Sequence, residues 1–276
     1  VLYMAPYAER VNVPFDFIYG VYNDLDRTMD AIGERADEVA AVLVEPMAGG
    51  GGAIPADSGF LRGLRRFADD AGCVLVFDEV MTSRLGRAGL QGEYGVIPDM
   101  TSFGKYLGGG LTFGAFGGRA DIMSRFDPRS ENALPHAGTF NNNVLSMAAG
   151  VAGLRDVFTA DVADRLRDRG NAFRDRLNGI IAGRGIAAQV TGYGSILCIH
   201  FQAGEIRRPA DTQRARPEAL RLFHLEMLAR GIYLAPRGYM TLSLALGDEH
   251  LDRFCVAFDS VLETHGAVLS GVAADA

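Results

Sequence analysis

Hydrophobic positions along the chain alternate between helical spacing and unbroken apolar runs, and that alternation predicts the fold. Between residues 24 and 38, Leu25, Met29, Ile32 and Ala36 recur at helical spacing among Asp, Arg and Glu, and the apolar run Val39 to Val44 follows. Glu45-Pro46 closes that run, and Gly49 to Gly52 open a loop without side chains. Asp57-Ser58 is a capping pair; behind it Phe60, Leu61, Leu64, Phe67, Ala68 and Ala71 mark one face of a helix that Gly72 ends. A second buried run, Cys73 to Phe77, comes next. Apolar strands without polar alternation, separated by amphipathic helices, predict a mostly parallel sheet covered by helices on both faces, and so the α/β class.

A third unit runs from Pro98 through Lys105 to the glycine-rich stretch Gly108 to Gly118, with a short strand predicted over Phe113 to Phe116. Helical patterns cover 143–158 and 163–181. From Ala187 the texture changes: Gln189 to Phe201 reads as β-branched strands with a tight turn. A helix centred on Leu220 to Leu228, a turn at Pro236-Arg237-Gly238, a strand Tyr239 to Ala245 and a final helix over 248–264 complete a smaller α+β domain. The predicted division is a large domain over 1–160 and a small C-terminal domain over 161–276.

Composition narrows the functional classes. A hydrophobic content of 48% with 22% charged residues is a globular balance, and a net charge of -7 without a long basic stretch excludes nucleic acid as a partner. No apolar run is long enough to span a bilayer, so no membrane association is expected. Cys73, Cys198 and Cys255 lie far apart in apolar runs with no Cys-x-x-Cys pair, which reads as reduced core residues in a cytoplasmic protein. The histidines are scattered, His136 reads as a packing residue, and no metal site is expected. The chain opens on Val1-Leu-Tyr-Met-Ala-Pro6 without an initiator methionine and is read as a piece of a longer one.

Chemistry enters with one residue. Lys and Arg together number 27, yet Lys105 is the single lysine. A guanidinium cannot lose its proton near neutral pH or condense with an aldehyde, so one position needing an amine is the informative reading, and Lys105 resembles a Schiff-base lysine. The alternative is drift toward arginine with one survivor. Residues closing parallel strands are the next to examine, here Glu45 and Asp78. A carboxylate straight after Val74 to Phe77 is costly unless something positive meets it, either Lys105 or a ring nitrogen. An aldehyde-bearing pyridine cofactor needs both groups: a lysine to form the aldimine and an acid to keep the ring nitrogen protonated. Asp78 as an N-cap or a plain ion-pair partner is the competing reading. The Gly-rich segments fit neither a phosphate-binding P-loop nor a dinucleotide fingerprint.

Val44-Glu-Pro-Met, Val76-Phe-Asp-Glu-Val-Met-Thr82, Pro98-Asp-Met-Thr-Ser-Phe-Gly-Lys105 and His136-Ala-Gly-Thr-Phe140 stand in the order and spacing that the chain shares with class III pyridoxal-phosphate aminotransferases, and the resemblance runs from about Tyr22 to Leu269. It implies a fold-type I transferase with pyridoxal 5'-phosphate as cofactor. Lys105 then resembles the internal-aldimine lysine and later the base of the proton shift, and Asp78 the partner of the pyridine nitrogen. Val80 resembles the residue packed on one face of the ring. Thr139 resembles the phosphate ligand donated across a homodimer interface, so that each active site is shared. Glu45 resembles a family glutamate near the cofactor, and a strand-end structural acid equally. The family's Gly-Ser/Thr phosphate loop and ring-stacking aromatic are not in this sequence, which resembles roughly the C-terminal two thirds of such an enzyme. Gly50 stands where many members carry a glutamate that pairs with an arginine.

Within the family, Ala235-Pro-Arg-Gly-Tyr239, Thr82-Ser-Arg-Leu85 and Gly138-Thr-Phe-Asn-Asn-Asn143 look closer to β-amino-acid aminotransferases, the β-phenylalanine type in particular, than to glutamate-1-semialdehyde aminomutases. That implies transfer of an amino group from a β-amino acid, an aromatic one included, to a keto acid, with Arg237 as a carboxylate clamp; a solvated turn arginine is the other reading. An aminomutase-type isomerase and a catalytically incomplete fragment are the alternative functions.

Overall fold

The computed structural model describes residues 16–271, so the opening Val1 to Pro6 stretch lies outside it. Contacts group the chain into two compact units: Val1–Pro46 with Ala56–Ala163, and Met47–Pro55 with Asp164–Ala276. Along the chain, α1 (Leu25–Ile32) leads through a 3-10 stretch to β1 (Ala41–Val44), and β2 (Met47–Ala48) and β3 (Ile54–Pro55) form a small antiparallel hairpin. There follow α2 (Ser58–Ala71), β4 (Val74–Asp78), α3 (Gly89–Tyr94), β5 (Met100–Gly104), β6 (Gly114–Gly118), α4 (Ala120–Met123) and α5 (Val144–Ala152). The chain passes into the second unit within α6 (Ala160–Arg184), then forms β7 (Gln189–Tyr193), β8 (Ile196–His200), α7 (Pro217–Ala229), β9 (Tyr239–Thr241) and α8 (Asp248–Ser270).

The first unit is built on a four-stranded sheet in the order β1-β4-β5-β6. β1, β4 and β5 are parallel, whereas β6 runs antiparallel to β5, because a glycine-rich link rather than a crossover helix joins those two. Residues facing one side of β4 are fully buried (Leu75 and Phe77, each 0% exposed), while Val74, Val76 and Asp78 on the other side are half-buried. Helix α2 packs on β1 and β4 and buries Phe60, Leu61, Leu64 and Ala68, each large side chain worth about 1.5–3 kcal/mol in apolar burial. As the sequence predicts, Gly72 ends α2 in the left-handed conformation. The helical spacing that reached Ala36 stops at Ile32, where Gly33 leaves helical geometry.

One carboxylate fixes the register of this sheet. Asp99, 5% exposed, precedes β5, and its Oδ2 accepts from the Leu75 N–H (2.7 Å) and from Arg65 of α2 (2.9 Å). Its Oδ1 accepts from Arg119 just after β6 (3.0 Å), and its backbone N–H donates to the Leu75 carbonyl (2.8 Å). β4, β5, β6 and α2 therefore meet at one side chain. Burial by itself raises the Asp99 carboxyl, but the Leu75 N–H and the two guanidiniums outweigh it and hold the group below its usual 3.8.

The second unit carries a three-stranded antiparallel sheet, β7-β8-β9, with Phe201, Phe223 and Phe258 packed as tilted and edge-on pairs 5.3 and 5.7 Å apart. β9 ends at Thr241, short of the predicted Ala245: Leu242 N–H bonds the Ser195 carbonyl, before the start of β8, and among the described residues no strand pairs beyond it. The β2-β3 hairpin belongs to this unit. Thr191 Oγ1 donates to the Gly52 carbonyl (2.7 Å), and His200 Nε2 lies 3.1 Å from the same oxygen and 2.9 Å from Thr191 Oγ1. Gly52 has φ 115, and a Cβ there would sit 2.8 Å from His200 Cε1, so this approach requires glycine. Burial holds the His200 imidazole below 6.5, the Gly52 carbonyl acting the other way.

Two stability measurements follow from these groups. Asp99→Ala leaves the buried Leu75 N–H without its acceptor and is expected to cost about 1–3 kcal/mol in urea unfolding. A loss within error of zero would deny Asp99 its role in the register. His200 has a folded-state pKa below its unfolded value, so the unfolded chain takes up the proton first and stability falls as pH drops through 6.5. The urea midpoint is expected to drop between pH about 7.5 and about 5.5 more in the wild type than in His200→Gln, which cannot titrate. Equal drops would remove His200 from the account.

Candidate active site

Three parallel strands end side by side, and each ends at a residue with chemistry. β1 is followed by Glu45, β4 closes on Asp78, and β5 is followed by Lys105. The pairings Val44 with Phe77 and Asp78 with Ser102 bring these carboxyl ends together within the first unit. Asp78 is half-buried, and its Oδ1 accepts from Ser102 Oγ (2.9 Å) and from the Val80 N–H (3.0 Å). Among the described residues Oδ2 has no hydrogen-bond partner.

Lys105 is exposed and forms no ion pair with Asp78 or any other carboxylate among the described residues, so the lysine is not the cation that meets the strand-end acid. Its φ of 54° places a side-chain-bearing residue in the left-handed region at the end of β5, a conformation that costs on the order of 1–3 kcal/mol. Val80, half-buried, packs against Gly104: its Cγ1 lies 3.3 Å from where a Cβ on that glycine would stand. Glu45 is half-buried, and its carbonyl accepts from the Tyr22 hydroxyl (3.0 Å). The structure thus groups Glu45, Asp78, Val80 and Lys105 around neighbouring strand ends. Thr139 lies on an exposed turn closed by Asn141 N–H and Gly138 carbonyl, and no contact joins it to Asp78 or Lys105.

The sequence reading passed over Glu79, which the fold uses heavily. It is 0% exposed; Oε2 accepts from Leu90 N–H (2.8 Å) and Thr82 Oγ1 (3.0 Å), and Oε1 from Gln91 N–H (2.9 Å). Burial pushes its carboxyl up, and the three donors oppose that. Gly89, at φ 66°, sits against it: a Cβ there would lie 2.6 Å from Oε2. The acid closes residues 79–91 into a loop whose first turn carries Val80. Ser102 was also missed, although a hydroxyl three residues before the lysine and level with Asp78 in the parallel register was available as a signal.

Arg237 belongs to the second unit. It is exposed on the turn closed by Gly238 N–H and the Ala235 carbonyl (2.9 Å), and its guanidinium carbon stands 5.5 Å from the centre of the Tyr239 ring. Among the described residues it has no acidic partner. Beside it, Cys198 is buried and its thiol is pushed up to about 12; Cys73 and Cys255 are buried and unbonded as well. Among the described residues no group of three or more His, Cys, Asp or Glu could hold a metal ion, and no helix is long and apolar enough to cross a membrane.

Comparison with known proteins places this geometry. The family model for "Aminotransferase class-III" matches residues 4–262. β-Phenylalanine transaminase of Variovorax paradoxus is 48% identical over 93% of this chain and 59% of its own length. Glutamate-1-semialdehyde 2,1-aminomutase of Desulfovibrio desulfuricans is 39% identical over 86% of this chain and 56% of its own. The crystal structure of a β-phenylalanine aminotransferase from Variovorax paradoxus superposes with a TM-score of 0.91 at 47% identity, covering 94% of this chain and 60% of that one. The chain therefore spans less than two thirds of the length of these relatives. Solved neighbours hold PLP or PMP.

Proposed function

The chain belongs to the class III aminotransferases, a family of fold-type I pyridoxal 5'-phosphate enzymes, and from that premise we propose that it carries the reactive lysine of a transaminase acting on a β-amino acid and a keto acid. The observation that carries the reading is the pair of adjacent parallel strand ends, one presenting a carboxylate with an open oxygen and the other an amine without an ion-pair partner. These residues fit the cofactor. Asp78 Oδ2 is free to accept from a protonated pyridine nitrogen while Ser102 and the Val80 N–H hold Oδ1, and Lys105 offers the only lysine amine in the chain.

Bound pyridoxal phosphate supplies the carbonyl carbon and the electron sink that amino-group transfer needs. Asp78 keeps the ring nitrogen charged. Lys105 Nζ serves as the base that takes a proton from the substrate carbon bearing the nitrogen and returns it during transfer. Val80 bounds one side of the ring, Glu45 lines the neighbouring strand end, and Thr139 supplies a phosphate contact to the partner subunit's site in a homodimer. Arg237 takes the substrate carboxylate bidentately. The aromatic β-amino acid follows from the similarity to the Variovorax paradoxus enzyme, and the three buried cysteines suit a reducing cytoplasm. The 39% identity to an aminomutase favours a second reading, isomerisation within one molecule, which differs in needing no keto-acid acceptor.

In the holoprotein, borohydride reduction is expected to fix pyridoxal phosphate on Lys105, read by peptide mass spectrometry, and Lys105→Ala to lose that label and at least about 100-fold in transamination rate. Labelling that persists in the variant would sink the assignment. Backbone strain adds a cofactor-independent check: Lys105→Gly relieves the left-handed φ and should exceed Lys105→Ala in stability by about 1 kcal/mol. Turnover that stops when the keto acid is withheld supports the transaminase; turnover that continues supports the isomerase.

A further inference from the structure

The second unit contains a connection that the proposed mechanism does not use. The Gly49 to Gly52 loop, which tips the β2-β3 hairpin, is held at both ends by one hydroxyl: Tyr239 Oη donates to the Gly49 carbonyl (2.6 Å) and accepts from the Gly52 N–H (2.9 Å). On the far side of the loop Thr191 and His200 hold the Gly52 carbonyl. A Cβ on Gly51 would stand 2.7 Å from Pro209 Cγ and one on Gly52 2.8 Å from His200, whereas one on Gly50 meets nothing within 4 Å. The loop is thus pressed against Pro209 and the end of β8 at its C-terminal half and open at Gly50. The aromatic ring of the same Tyr239 carries the Arg237 guanidinium 5.5 Å from its centre, an arrangement in which the ring's negative face attracts the cation.

We propose that Tyr239 is a positioning residue for substrate-carboxylate recognition: its ring holds Arg237 in place and its hydroxyl pins the Gly49 to Gly52 loop, so that cation and loop are set as one element. The inference rests on the reading of Arg237 as the carboxylate clamp. An arginine on an exposed turn loses side-chain entropy when it binds a ligand, and a ring beneath it reduces that loss by confining the guanidinium beforehand. A loop of four consecutive glycines has the same difficulty in its backbone, and two hydrogen bonds to one oxygen confine it. Because Arg237 has no acidic partner among the described residues, the ring is what orients its charge without neutralising it.

Two measurements test this. In the 276-residue chain, Tyr239→Phe keeps the ring and removes the hydroxyl, and amide exchange at Gly52 is expected to accelerate roughly fivefold. In the holoenzyme, the ratio of kcat/KM for a carboxylate-bearing β-amino acid to that for an aryl-alkyl amine without a carboxylate is expected to fall roughly tenfold in Tyr239→Leu, and less in Tyr239→Phe, with the change greater in KM than in kcat. Arg237→Ala should lower the same ratio at least as far. If Arg237→Ala leaves the ratio intact, the clamp reading itself fails. If Arg237→Ala lowers it while both Tyr239 variants match the wild type, the inference on Tyr239 is overturned and the clamp stands. A loss in the Tyr239 variants that is equal for both substrates and parallels a lower urea midpoint would make the residue merely structural, and overturns it as well.

Discussion

A single carboxylate at the amino ends of the strands governs what meets at their carboxyl ends. Asp99 bonds the backbone of β4, sits at the head of β5, and draws in guanidiniums from α2 and from the end of β6. In a sheet, slipping one strand by one residue turns every side chain to the opposite face. Such a slip between β4 and β5 would separate Asp78 from Ser102 and change the level at which Lys105 leaves the sheet. The ion pairs matter here less for their own energy than for the register they specify. Arg119 is largely solvent-exposed, so its contribution is screened, whereas the Leu75 N–H and Arg65 contacts lie in drier surroundings.

The second unit shows how other charges are used. Most arginines that bear on the fold lie against carboxylates: Arg184 against Asp259 and Glu263, Arg167 against Asp164 and Asp168, Arg230 against Glu226. A guanidinium suits that work because it is always charged and can bond two oxygens at once. Lys105 stands apart in charge chemistry and in backbone geometry, being the one lysine and, among the described residues, one of four other than glycine at positive φ. Strain of this kind persists only where neighbouring structure enforces it. Here β5 pairs through Gly104 with Gly114 of β6, and Val80 fills the space beside that glycine, so the turn at Lys105 is held from both sides.

The parts of this arrangement differ in how far the sequence displays them. Periodicity located α2, β4 and the helices of the second unit because their apolar spacing is regular, and Gly72 marked an end that the structure confirms. Strand ends and a lone lysine were visible because residue type alone restricts their chemistry. The β2-β3 hairpin was not, since two-residue strands around four glycines have no period, and its attachment depends on Tyr239 and His200, far away in the chain. Glu79 was hidden for a related reason: its identity as a buried structural acid depends on backbone N–H groups of Leu90 and Gln91, which a linear reading cannot aim. The half-buried side of β4 was also misjudged, because Val74 and Val76 are as apolar as the fully buried Leu75 and Phe77, and spacing cannot rank their exposure.

Gly50 separates packing from chemistry in the loop. Glycine at 51 and 52 is forced by Pro209 and by His200, but position 50 has room for a side chain, so sterics do not account for its absence. Electrostatics offer an account. A carboxylate on this loop would share Tyr239 with Arg237 as a common neighbour and would compete for the guanidinium of the proposed clamp. Without one, the cation among the described residues meets an aromatic face and no acid, a contact worth about 0.5–1 kcal/mol at an exposed site, well below a bidentate bond to a carboxylate. On the proposed reading of Arg237 as the carboxylate clamp, an incoming substrate acid would displace little in order to bind, and selectivity would be set by the strength of a contact that the protein orients but leaves unsatisfied.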